Sequence, residues 1–317
     1  MPMKTNRLIL PLLTALALLP ALVNADKIIR PIEKTFDLEG VERIVVHTQG
    51  GTINVEGESR SDAIVRVDQI FRNASEREAD KLESEIESTF EIQGETLHVE
   101  FKRDQSSWGG WSLFGGKPSV NFNISIETAK GIDVELRTSG GGINVSNLDG
   151  KVNARTSGGG MKFHDIGGPL DAHTSGGSIE ARRIEANAKL GTSGGRIAVS
   201  SISGSAELNT SGGSISADDL RGPLSAKTSG GSISASFTEG ISSDTRLKTS
   251  GGSITAKLPS DNSFYLDART SGGGVRTEFP ITLKGEIKRS AAEGPVNGGG
   301  PTLELKTSGG SIAVKYL

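Results

Sequence analysis

Residues 210–227 read T-S-G-G-S-I-S-A-D-D-L-R-G-P-L-S-A-K, and Thr228 starts the same run again. Within this unit Ile215 and Ala217 alternate with Ser214 and Ser216, the period of two expected of a strand with one face buried. Leu224 and Ala226 alternate with Ser225 and Lys227 in a second stretch. Leu220 adds an inward contact between them, and Gly222-Pro223 marks a turn. Carrying the alternation one step further turns Thr228 inward. The unit is thus two short strands and two turns, too small to bury its own apolar face.

The tetrapeptide TSGG begins at Thr138, Thr156, Thr174, Thr192, Thr210, Thr228, Thr249, Thr270 and Thr307, the first six at intervals of 18 residues. A fixed period of this length predicts a solenoid whose coils are stable only when stacked. Equivalent positions form columns, with Ile179, Ile197, Ile233, Ile254 and Ile312 in one and Ala181, Val199, Ala235, Ala256 and Val314 in another. The alanines imply a thin cross-section, and nine coils about 4.8 Å apart make a rod of about 45 Å. Gly-Gly is expected where the backbone needs positive φ or where coils approach too closely for a side chain, with Thr and Ser hydrogen-bonding along the stack. Hexapeptide β-helices are excluded because the apolar spacings from Ile215 have no sixfold subperiod. Calcium rolls are excluded because no Asp follows the glycine pair at the ligand spacing. The predicted class is all-β: a single-stranded parallel β-helix with about 18 residues per coil and one short N-terminal capping helix. The spacing selects no handedness.

The segments outside the strict repeat carry other signals. Lys4 and Arg7 precede an apolar run that ends with Val23 and Ala25, so residues 1–25 read as a secretory signal peptide cut between Ala25 and Asp26. Residues 26–130 read as an N-terminal strand-rich subdomain in which HTQGGTINVEG, His47 to Gly57, resembles one degenerate coil. A helix is expected from Ser75 to about Ser88, with Ser75 and Glu78 as a capping box and Ala79, Leu82, Ile86 and Phe90 as the apolar face. It is expected to cover the open first coil. Residues 131–317 form the solenoid of TSGG repeats, and Glu293–Thr302 reads as a loop replacing one TSGG turn. The chain ends in SIAVKYL, which predicts an open C-terminal edge able to associate end to end.

The chain has no Cys, which excludes disulfides, thiol chemistry and a lipid-bearing Cys. Its net charge is −3, and without the leader 33 basic residues face 38 acidic ones, which argues against nucleic acid as partner. The residue before each TSGG threonine gives a basic stripe of Arg137, Arg155, His173, Lys227, Lys248, Arg269 and Lys306, interrupted by Gly191 and Asn209. Two residues earlier the series leans acidic, with Glu135, Asp171, Glu207, Asp267 and Glu304 interrupted by Asn153, Lys189, Ser225 and Arg246. Adjacent rows of opposite sign stabilise each other on an exposed sheet, or present a stripe to an anionic glycan.

A polysaccharide-cleaving enzyme would need two carboxylates about 5–10 Å apart. The acidic row is too interrupted to supply them, Asp218 and Asp219 have no matching pair above or below, and the pattern guarantees no nearby His partner for His164 with Asp165. Gly110–Pro118 departs from a phosphate-binding loop at Pro118, and no G-x-S-x-G elbow occurs. No catalytic residue, cofactor or metal ligand is assigned. The loop from Asp104 to Gly116 concentrates Trp108, Trp111 and Phe114 among glycines and serines, either as a partner-binding surface or as a plug for the solenoid end.

The TSGGSI coil, LPSDNSFYLDARTSGG at Leu258–Gly273, the glycine loop and the terminal LELKTSGGSIAV together resemble the bacterial putative-adhesin family of β-strand-repeat proteins of unknown function. The resemblance covers most of the chain after the leader. It implies a single-stranded β-solenoid in an exported, periplasmic or cell-surface envelope protein and brings no catalytic residues. An envelope glycan or protein is the implied partner. No translocator barrel, sorting motif or transmembrane segment is legible after the leader, so a periplasmic scaffold or envelope-state sensor stands beside adhesion as a reading.

Overall fold

Between one TSGG turn and the next the chain lays strands on two different sheets. After Gly213, Ile215–Leu220 joins the first sheet; past the Gly222-Pro223 turn, Leu224–Lys227 joins the second. The structure is a computed structural model that describes residues 22–24, 27–103, 118–281 and 289–317. Among the described residues the first sheet has 14 strands and the second 13. Through the repeat the pairing is parallel and keeps equivalent residues side by side. Ile143, Met161, Ile179, Ile197, Ile215 and Ile233 adjoin in turn on the first sheet. Val152, Leu170, Ala188, Ala206 and Leu224 do so on the second. Their inward side chains belong to one core that runs from Leu38 to Val314. Each fully buried Ile or Leu contributes about 1.5–3 kcal/mol, and most of its contacts come from the coils above and below.

The TSGG threonines point inward as the alternation predicts, each at most 8% exposed. All nine hydroxyls donate to a glycine carbonyl of the neighbouring coil, and the seven from Thr174 onward also accept a glycine N–H. Thr210 Oγ1 donates to the Gly195 carbonyl of the preceding coil at 2.9 Å and accepts the Gly213 N–H of its own turn at 3.3 Å. The Gly213 carbonyl in turn accepts Thr228 Oγ1 at 2.8 Å. The second glycine is required by this contact. A Cβ on Gly213 would stand 1.8 Å from the Gly195 oxygen, whereas one on Gly212 would meet nothing closer than 3.5 Å. None of the second glycines of the nine TSGG turns has a left-handed φ, so close approach, not backbone conformation, selects them.

The left-handed residues lie elsewhere. Asn147, Asp165, Arg183, Ser201 and Asp219 all have φ between 52° and 57°, and the strand pairing passes over them. Each is a bulge that changes the parity of its strand. Ala217 and Leu220, three residues apart, thereby both face inward.

Both ends depart from chain order. Arg43–Thr48 and Ile53–Glu58 form the expected degenerate coil and stack on Asp133–Thr138 and Ile143–Leu148. Outside them lie Thr96–Arg103 and Ser119–Ala129, also parallel. Antiparallel strands Asp62–Arg72 and Lys27–Asp37 extend the first sheet, and Ile86–Gln93 extends the second. The helix, Glu76–Ser84, has the expected capping box but is shorter than predicted. Ile86 and Phe90 belong to the following strand and pack on the main core. Ala79 and Leu82 cover Ile28 and Phe71 of the antiparallel pair instead of the first coil, and Arg30 ties the helix down through Glu76, Asp80 and Glu83.

At the other end the C-terminal strand does not form the edge expected of it. Thr302–Thr307 lies between Thr245–Thr249 and Phe264–Thr270, and Ile312–Tyr316 lies between Ile254–Leu258 and Val275–Thr277. The last coil in sequence is therefore internal, because Leu303, Leu305, Ile312 and Val314 complete the same buried columns. Glu293–Val296, the start of the expected loop, belongs instead to a strand, Ala291–Val296, that runs antiparallel to Phe264–Thr270 and ends the second sheet.

Gly213→Ala should destabilise the protein by at least about 2 kcal/mol, while Gly212→Ala should change stability by less than about 1 kcal/mol. Equal effects in chemical denaturation would contradict the close-approach account. Deleting residues 302–317 should strip hydrogen-exchange protection from residues 264–277 as well, since their parallel partners are removed. Retained protection there would contradict the internal placement.

Candidate functional site on the second sheet

The residues that precede the threonines project from the outer face of the second sheet. Pairing orders them as His47, Arg137, Arg155, His173, Gly191, Asn209, Lys227, Lys248, Lys306 and Arg269. The structure brings the whole predicted stripe together, adds His47 at its head and places Lys306 before Arg269. His47 was reachable from the degenerate coil, one residue ahead of Thr48, but its place in this row depends on the out-of-order stacking.

The acidic-leaning row lies alongside, and many stripe residues lean onto it. Arg137 is 2.8 Å from Glu135, Arg155 is 3.1 Å from Asp171, and Arg269 is 2.9 Å from Asp267 and 2.6 Å from Glu293. The densest network surrounds Glu304, which meets Lys248 at 3.0 Å and also Arg246 and Lys306. In the middle of the stripe pairing is sparse. Lys189 is 3.9 Å from Glu207, and among the described residues Lys227 and His173 have no ion pair. Gly191 leaves the row without a side chain there, and the His173 ring lies across the space, 2.7 Å from where a Cβ would sit. A shallow groove of about 540 Å³ opens at this point, lined by Arg155, His173, Lys189, Asn209, Ser211 and Lys227 among others. A second groove adjoins it, and its charged lining is Lys102, Arg137 and Arg155, with His47 and His173 beside them.

Comparison with known proteins fits this architecture. The Toastrack DUF4097 family matches residues 37–315. The chain belongs to that family. No curated protein matches it. Among solved structures, a "putative adhesin" of Bacteroides fragilis is similar at 14% identity over 91% of this chain and 97% of its own, with a TM-score of 0.41. A "putative adhesin" of Parabacteroides distasonis shows 15% identity over 91% and 97%, with a TM-score of 0.43. A "putative lipid binding protein" of the same species shows 15% identity over 90% and 96%, with a TM-score of 0.43.

Two charged clusters of this Toastrack chain bear on acid–base chemistry. Burial alone would push the Glu304 carboxyl up, but hydrogen bonds from Lys306, Arg246 and Lys248 prevail and hold it at about 2, below the usual 4.5. Glu304 is thus a fixed anion, unsuited to donate a proton at neutral pH. His164 Nδ1 lies 2.8 Å from Asp165 on the first sheet, but Arg183 engages both side chains and keeps the Asp165 carboxyl below its usual range. Among the described residues, no three His, Cys, Asp or Glu side chains are placed to hold a metal ion. Trp108, Trp111 and Phe114 lie outside the described residues, as do Ala25 and Asp26.

Because the folded-state value for Glu304 is depressed, its contribution is complete above the unfolded value of about 4.5 and is lost as pH falls toward 2. The shift corresponds to at most about 3 kcal/mol. Glu304→Gln should lower the melting temperature at pH 7, and the gap to the native chain should close as pH approaches 2. A pH-independent gap would contradict this role.

Proposed function

We propose that this protein is an exported, non-enzymatic, adhesin-like binding or structural element of the bacterial envelope, built as a single-chain solenoid of about 18 residues per coil. The observation that carries the reading is the outer face of the 13-stranded sheet, where registered charge rows run the length of the stack over a continuous core. Such a face is long, open and rigid, suited to contact with an extended partner and poorly suited to enclosing a small substrate. The leader-like residues 1–25 support export. No helix among the described residues is long and apolar enough to cross a membrane.

Protein recovered from cells should sit in the envelope fraction and begin at Asp26. An uncleaved chain in the cytoplasm would overturn the reading. Release of new sugar ends from acidic polysaccharide, abolished by Glu207→Gln or Asp171→Asn, would establish an enzyme instead. Protease access in intact cells separates a surface adhesin from a periplasmic scaffold, which is reached only after permeabilisation.

A further inference from the structure

We infer that the groove over Gly191, with the groove that adjoins it, is a track for a linear acidic polysaccharide laid along the stack. This rests on the binding role proposed above and gives that role a ligand class.

Charge sets the chemistry. The two grooves present Lys102, Arg137, Arg155, Lys189 and Lys227, against Asp171 as the carboxylate of the lining. Glu100, Glu135 and Glu207 flank them and pair with Lys102, Arg137 and Lys189. The surplus therefore falls at Lys227, across the opening that Gly191 leaves from the His173 imidazole. The far end of the stripe has no such surplus, since Glu304, Asp267, Glu293 and Asp244 offset Lys248, Lys306, Arg269 and Arg246.

Shape sets the polymer. The track crosses the strands from Thr96–Arg103 to Leu224–Lys227, a distance of about 34 Å at the usual strand spacing. It is shallow throughout, whereas a small ligand would be mostly enclosed. One hydroxyl per coil, at Ser157, Ser175, Ser193 and Ser211, follows the opposite rim and offers hydrogen bonds to sugar hydroxyls at the same repeat. Single-stranded nucleic acid would want aromatic platforms, and a protein partner would want an aromatic or apolar centre; among the described residues the lining supplies one Phe, Tyr or Trp ring, that of the buried Phe101.

The test uses the full chain, a linear polyuronate and a neutral glucan of equal length, with binding measured calorimetrically at low and moderate salt. The native protein should bind the polyuronate in a salt-sensitive manner and ignore the glucan. Lys189→Glu with Lys227→Glu should weaken binding at least about tenfold. Lys257→Glu with Lys315→Glu, the same charge change on the outer face of the other sheet, should weaken it less than about twofold. Equal weakening by both pairs, or no polyuronate binding by the native chain, would overturn the track. Retention on isolated envelope material is measured in parallel. If the native chain and the Lys189/Lys227 variant are retained equally, the track fails and the binding role stands; if neither is retained, both fail.

Discussion

The architecture depends on how closely successive coils approach at the second glycine of each TSGG turn. At that point a carbonyl from one coil sits where the next coil would place a Cβ, 1.8–2.3 Å away in every TSGG turn. Only glycine permits this, and the approach brings the carbonyl within reach of the next threonine hydroxyl at 2.7–3.0 Å. From Thr174 onward the same glycine returns its N–H to the threonine of its own turn. A buried hydroxyl left unpaired would cost about 1–3 kcal/mol, so burying a threonine in every coil is tolerable only because this thread is complete. Tetrapeptide, coil spacing and inward threonine are one constraint seen three ways.

That coupling explains what the sequence disclosed. The period, the inward Ile and Ala columns, the buried threonines and the coil at His47–Gly57 were all legible, because each repeats a side-chain pattern. The bulge was not. It recruits Asn147, Asp165, Arg183, Ser201 and Asp219, five positions with little chemistry in common, to one left-handed conformation. Asn and Asp adopt it readily, Arg and Ser less so. Its only trace was the odd spacing of Leu220 after Ala217, which identified an inward residue without revealing how it came to face inward.

The candidate site was legible as a stripe but not as a set of grooves. Spacing alone gives both rows of charge, and their opposite signs anticipate the ion pairs around Glu304 and Asp267. Where the pairing thins out depends on absent side chains. Gly191 reads in the sequence as an interruption of the stripe, yet in three dimensions it makes the opening that His173 leans into. The order of the row was also hidden, because Lys306 precedes Arg269 and His47 precedes Arg137 only after both ends of the chain double back.

Those reversals give the rod a defined length. A solenoid with consecutive coils ends in parallel strands whose free edges can template another coil, and folding can propagate from any unit. Here the terminal coil in sequence is enclosed by earlier ones, and antiparallel strands flank the parallel ones: Asp62–Arg72 on Ser119–Ala129 at one end, and Ala291–Val296 on Phe264–Thr270 at the other, where the first sheet ends among the described residues on the parallel strand Val275–Thr277. An antiparallel strand does not offer the TSGG register to an incoming repeat, so Ala291–Val296 opposes continuation of the stack on the second sheet. The enclosed coil can enter only after the chain has passed beyond it and returned, which adds contacts of long sequence separation and makes closure slower than stacking. The repeat favours growth of the stack, and the two non-repeating ends terminate it.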